Sequence, residues 1–162
     1  MAEPLGLARE AWGPRFWKIL HTLAETSGSQ RQAILNLDEA EAWIILLKAQ
    51  QFVMPCALCK DHYKQWRTSH PTELVRKLSG EERKDFLRQW LWGCHNRVNQ
   101  MNNKVSVPIE ELPSLYPKQS IQKELNELNT MFQLAITRQS LKYEEVKVWK
   151  AVIQRLRLLV GV

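Results

Sequence analysis

Apolar residues recur every three or four positions along most of this chain, and no convincing strand pattern interrupts them. A chain of 162 residues with that pattern must bury its apolar faces helix on helix, so one all-α domain with a real core is expected. Composition adds little. Hydrophobic residues at 44% and charged residues at 25% are ordinary for a globular protein.

The punctuation sets the helices. Pro14 after Gly13 suits a first helical position and predicts a helix running to about Ser27, closed by Ser27-Gly28-Ser29. Asp38 reads as the cap of a second helix over 39–53, with Trp43, Leu46, Leu47 and Phe52 as its core residues. Pro55 ends that helix and opens a third, from Cys56 to about Thr68. Ser79 before Glu81 and Glu82 marks the fourth, which runs to about Asn102. A short helix is expected between Pro108 and Tyr116. Two amphipathic stretches follow, one marked by Ile121, Leu125, Leu128 and Phe132, the other by Val146, Trp149, Val152, Ile153 and Leu156. The first four helices suit a bundle, and bundles hold cofactors between facing helices.

Cys56-Ala57-Leu58-Cys59 supplies the chemistry. Two cysteines three apart at a helix start either ligate a metal or form a reversible disulfide. The helix N-terminus lowers the thiol pKa there and makes a better nucleophile. Only three cysteines are present, an odd and sparse set for a secreted disulfide scaffold. Met1–Ala11 lacks the apolar core of a signal peptide, and no apolar run reaches membrane-spanning length. A cytoplasmic protein with no membrane span is expected, and there a C-x-x-C serves metal binding or catalysis. The net charge of +6 is scattered, which argues for a solvated basic surface or a polyphosphate ligand rather than nucleic acid.

A second cluster lies at His95-Asn96-Arg97-Val98-Asn99. His95 and Asn99 share one helical face, beside the apolar Val98, an arrangement that suits an adenine or ribose better than solvent. Trp17 and His21 are likewise four apart on the first helix. Seven tryptophans point to a large flat ligand as well as to core filling.

The ordered motifs are Trp12-Gly13-Pro14-Arg15-Phe16-Trp17, Leu20-His21-Thr22-Leu23-Ala24, Pro55-Cys56-Ala57-Leu58-Cys59 and His95-Asn96-Arg97-Val98-Asn99, then Lys104 and Tyr116. Together they resemble the Erv/ALR family of FAD-linked sulfhydryl oxidases, and in particular its short members from large cytoplasmic DNA viruses. The resemblance covers about residues 11–117 and leaves 118–162 as a C-terminal extension. It implies a four-helix bundle with a short fifth helix, holding FAD noncovalently. It implies that Cys59 is the flavin-proximal sulfur and Cys56 the exposed sulfur that meets substrate. Gly13, Arg15, Trp17, His21, His95, Asn96, Val98, Asn99, Lys104 and Tyr116 would hold the cofactor, Lys104 at the phosphates and Tyr116 near the adenine. It further implies protein or small dithiol substrates, a possible thioredoxin-like shuttle protein, O2 as acceptor with H2O2 as product, and a homodimer paired through the first two helices. For a viral protein the place of work would be host cytoplasm or virion.

The chain departs from the pattern by lacking a second, shuttle cysteine pair. Cys94 reads as a buried inert thiol. His62, one turn beyond Cys59, either tunes the thiolate and contacts the flavin or is a plain surface histidine. Rival readings are a zinc-binding helical module, a thioredoxin-like protein and a non-catalytic helical scaffold. A zinc site from Cys56, Cys59, Cys94 and His95 is strained, because adjacent residues point about 100° apart on a helix. The thioredoxin reading needs strands that the sequence does not offer. No metal ligands are assigned.

Overall fold

The structure, a computed structural model, describes residues 8–162. Residues 1–7 of the N-terminal stretch considered above lie outside the described residues. Among the described residues there are seven α-helices and no strand, the expected all-α class. They are α1 (Arg9–Glu25), α2 (Ala33–Ala49), α3 (Ala57–Ser69), α4 (Gly80–Met101), α5 (Leu112–Leu115), α6 (Gln122–Thr137) and α7 (Tyr143–Val160). A 3-10 turn, Gln50–Val53, links α2 to the segment before α3. None of these helices is long and apolar enough to cross a membrane.

Two helix starts differ from the sequence reading. Helix α1 begins at Arg9, so Pro14 lies inside it rather than at its first position. The missing N–H of Pro14 removes one hydrogen bond near the start of the helix. Trp12 lies on that added segment and is buried with Phe16, their rings edge-on at 5.7 Å. Helix α2 begins at Ala33, and Asp38 sits within it, ion-paired with Arg155 of α7 instead of capping. A local cap signal was overridden by a tertiary partner. Phe52 is half-buried rather than core. The break after α1 holds as expected. Gly28 there has φ +85°, and a Cβ on it would collide with the Gly80 carbonyl oxygen. Glycine is therefore required twice over, by conformation and by close approach.

Helices α1 to α4 make the bundle, joined by a few buried polar bonds. The Trp43 indole donates to Ser27 Oγ at 2.8 Å. The Tyr63 hydroxyl of α3 donates to the Leu47 carbonyl of α2. The largest is an ion pair between Arg83 of α4 and Glu39 of α2, 2.8 Å apart, with both side chains at 0% exposure. Arg83 also donates to Asn36 and to the Leu78 carbonyl, and Glu39 accepts the Gly28 N–H. Such a pair holds because nearly every charge has its own hydrogen bond.

The extension is part of the same core. Helix α6 lies on α1, and α7 lies on α2 and α1. Trp149 packs edge-on against Phe132 and against Phe16 of α1, and Phe132 lies tilted on Phe16. Residues 118–162 thus form a second helical layer, covering faces of the first two helices.

Arg83→Met should remove one partner of the buried pair and strand Glu39. The expected loss is about 3–5 kcal/mol of folding free energy, read from urea unfolding. Adding Glu39→Gln to that variant should recover part of the loss, and a double variant no better than the single would show that the pair is not coupled.

Candidate active site

Cys56 and Cys59 are disulfide-bonded, with Cα atoms 5.2 Å apart. Cys56 is the N-cap of α3, and its sulfur accepts the Cys59 backbone N–H at 3.2 Å. The extended φ of −158° at Cys56, directly after Pro55, sets this geometry. The same N–H groups would stabilise a thiolate once the bond is reduced.

Beside the disulfide lies a cavity of about 520 Å³, within the range of small-molecule and cofactor sites. It opens between α1, α3 and α4 and is closed by the chain leading to Tyr116. Of the residues singled out from sequence, Gly13, Trp17, Cys59, His62, His95, Val98, Asn99, Lys104 and Tyr116 line it. Gln50, Met54, Tyr63 and Trp66 line it too and were not singled out. Tyr63 and Trp66 follow Cys59 at four- and seven-residue spacing, so the helical period of α3 carried that signal. Gln50 lies on a 3-10 turn, and no periodicity marks it.

Four of the selected residues are placed otherwise. Arg15 turns away from the cavity and pairs with Glu127 of α6. Asn96 is half-buried and off the wall, since one residue along a helix turns a side chain by about 100°. His21 is fully buried and stands behind the wall. Cys56 is only 7% exposed, against the expectation of an open sulfur. Its capping geometry turns the side chain in toward the first turn of α3.

The wall facing the disulfide is built from stacked rings. Trp17 and His95 are parallel, with centroids 4.1 Å apart and planes 6° from each other. His21 stacks on Tyr116 at 4.7 Å, and its Nε2 lies 3.3 Å from His95 Nδ1. Burial, helped by the neighbouring His95, pushes His21 down to about 3. Burial, then the Lys104 charge, pushes His95 down to about 4. Both rings are neutral near pH 7. His21 Nδ1 has no partner, and a buried N–H without an acceptor is the rarer defect. We therefore assign the His21 proton to Nε2, donating to His95 Nδ1. His95 then carries its proton on Nε2, as a donor for a ligand.

Trp66 supplies another free donor, since its Nε1 is buried without a partner. Its ring stacks on His70 at 3.6 Å and fits only because position 93 is glycine, where a Cβ would come within 2.6 Å of the ring. Arg9, Arg97 and Lys104 add positive charge to the lining. The donor set is that of a large, flat, anionic ligand with one sulfur of a disulfide against it. Cys94 also lines the cavity, but burial pushes its thiol up to about 12. Among the described residues no group of three or more His, Cys, Asp or Glu side chains is placed to hold a metal ion.

Residues 14–117 match the Erv1 / Alr family. The chain belongs to that family. A protein named FAD-linked sulfhydryl oxidase from African swine fever virus (isolate Pig/Kenya/KEN-50/1950) is 28% identical over 127 residues, covering 75% of this chain and 92% of its own length. The protein of the same name from isolate Warthog/Namibia/Wart80/1980 gives the same identity and coverage. FAD-linked sulfhydryl oxidase ERV1 of Arabidopsis thaliana is 30% identical over 112 residues, 69% of this chain and 53% of that protein. No solved structure matches the chain. The Erv1 / Alr match closes just after α5, so α6 and α7 lie beyond it.

The two buried histidines make stability depend on pH. Their pKa values in the fold lie below the ordinary 6.5, so the unfolded chain binds more protons below that pH. Their contribution is complete above pH 6.5 and drains away as pH falls, toward 4 for His95 and toward 3 for His21. The expected slope is about 1.4 kcal/mol per pH unit for each histidine within the window. Urea unfolding across that range should show it, and His21→Gln should flatten the slope; a profile unchanged by the substitution would contradict the assignment.

Proposed function

We propose that this protein is an FAD-dependent sulfhydryl oxidase that makes disulfides in dithiol substrates. The observation that carries the reading is the Cys56–Cys59 disulfide with Cys59 opening on an aromatic, basic cavity. The cavity fits the cofactor chemically. Trp17, His95 and Tyr116 offer stacking faces, the Trp66 indole is an unpartnered donor, and Lys104 with Arg97 answers a diphosphate.

A substrate thiolate attacks the Cys56 sulfur, the Cys56–Cys59 bond breaks, and Cys59 leaves as a thiolate at the N-terminus of α3. The second substrate thiolate attacks the substrate sulfur of the mixed disulfide. Cys56 leaves, the substrate disulfide is complete, and the cysteine pair holds two electrons more than before. FAD bound beside Cys59 would supply the two-electron acceptor for the reduced pair, with O2 and two protons as the final oxidant couple giving H2O2. The backbone N–H groups of the first turn of α3 stabilise both thiolates. Neutral His95 donates without adding a positive charge. Cys56, only 7% exposed, needs a local opening before a protein thiol reaches it, which favours small dithiols or a thioredoxin-like shuttle protein with a protruding cysteine. The cytoplasm of a host cell, or the virion, is the place of work this reading assigns.

Pairing through the first two helices would compete with the extension, because α6 lies on α1 and α7 on α2. We therefore favour a single chain whose extension takes the place of a partner. Light scattering should give the mass of one chain, 19.0 kDa; twice that mass would restore the homodimer.

The purified protein should be yellow, heat should release FAD, and anaerobic dithiol should bleach it. Cys59→Ser and Cys56→Ser should each keep the colour and lose dithiol-driven bleaching. A colourless protein, or bleaching that survives Cys59→Ser, would overturn the reading.

A further inference from the structure

Besides its ring contacts with Phe16, the extension reaches the cavity wall through a hydrogen bond. Trp149 of α7 donates its indole N–H to Gln50 Oε1 at 2.7 Å. An indole nitrogen can only donate, so the atom it meets must be the amide oxygen, and the orientation of the carboxamide is fixed by chemistry. Trp149 is itself held, 1% exposed, edge-on to Phe16 and Phe132. Gln50 is buried, at 2% exposure, and lines the same cavity as Cys59. With its oxygen committed to Trp149, the NH2 is the end left for the cavity.

We propose that Gln50 is a cofactor-contacting residue that donates its amide N–H to acceptor atoms of the flavin ring, with Trp149 as the positioning residue that orients it. This rests on the reading of the cavity as a flavin site. The flavin ring gains negative charge when it accepts electrons. A fixed donor at its acceptor atoms favours the reduced form, as donors aimed at developing charge do elsewhere. The C-terminal extension thereby sets how readily the cofactor accepts electrons from the cysteine pair, although no residue of α6 or α7 lines the cavity.

A purely structural role for the same bond predicts a different pattern, and two substitutions separate them. Trp149→Phe keeps the aromatic packing and releases the amide. Gln50→Glu keeps an acceptor for the Trp149 indole and replaces the NH2 with an acceptor toward the flavin. The readouts are the visible spectrum of the bound flavin and its reduced-to-oxidised ratio, measured anaerobically against a fixed dithiol couple. The ratio should fall about fivefold in Trp149→Phe, the effect of one hydrogen bond of ordinary net strength. It should fall further in Gln50→Glu, with the absorption band shifted in both. Val152→Ala, also buried on α7, should lower the unfolding midpoint and leave the ratio alone. A Gln50→Glu protein with the wild-type spectrum and ratio would overturn the proposal and leave Trp149–Gln50 as a brace only. Wild-type protein without flavin would overturn the underlying reading instead, before any variant is compared.

Discussion

An opening of about 520 Å³ lined by apolar and aromatic groups has to be held apart, because apolar faces free to move close on each other and expel water. Here the bracing comes from outside the wall. His21 backs His95 and Tyr116, and His95 in turn backs Trp17. Gly93 gives Trp66 its place, and His70 stacks on the far face of that ring. Tyr63 is tied to the α2 backbone at Leu47, and Gln50 to α7. Three of the braces, His21 to His95, Tyr63 to Leu47 and Gln50 to Trp149, also spend a polar atom on a partner behind the wall. The groups left over, Trp66 Nε1 and the outward nitrogen of His95, are then free for a ligand. Remove the braces and the same residues would make a smaller, closed core.

The extension strengthens this frame by packing far more than by charge. Its ion pairs to the first two helices, Arg15–Glu127, Lys18–Glu124 and Arg155–Asp38, all have a partner that is about a third exposed or more. Pairs like these contribute about 0–1 kcal/mol each. The Phe16, Phe132 and Trp149 cluster is buried almost completely, and a buried aromatic contributes several times that. The charged pairs therefore set the register of α6 and α7, while the aromatic cluster holds them. That also explains why the extension reads in sequence as two amphipathic helices with nothing to cover. Their partner surface, the outer side of α1 and α2, is spread over residues that look like ordinary helix faces.

Much of the site was legible because it rests on local rules. Pro55-Cys56 announced the start of α3, and helical spacing put Trp17 with His21 and His95 with Asn99 on single faces, while only the family resemblance brought those two faces to one site. What stayed hidden was rotation about helix axes and the reach of distant elements. Arg15 and Trp17 stand two residues apart, and only the position of α6 decides that the first faces Glu127 and the second the cavity. His21 shares a face with Trp17, yet it is one turn further in and becomes support rather than lining. Asp38 looked like a cap until Arg155 arrived from 117 positions away. The burial of Cys56 follows from a side chain accepting a bond from its own helix, which composition and spacing do not reveal.

Cys59, bonded to Cys56, and Cys94 both line this cavity, and the fold makes only the bonded pair reactive. Thiol exchange proceeds through the thiolate. Cys56 and Cys59 sit at the N-terminus of α3, where backbone N–H groups favour the anion. Cys94 lies midway along α4, buried, and its pKa of about 12 leaves only on the order of one thiol in 10⁵ ionised near neutral pH. Arg97 lowers that value, yet desolvation outweighs it. A third thiol able to attack the Cys56–Cys59 bond would scramble the pair and strand electrons away from the cavity. Keeping Cys94 protonated in the same cavity confines exchange to the two cysteines on the helix start, and the backbone of α3 does the selecting.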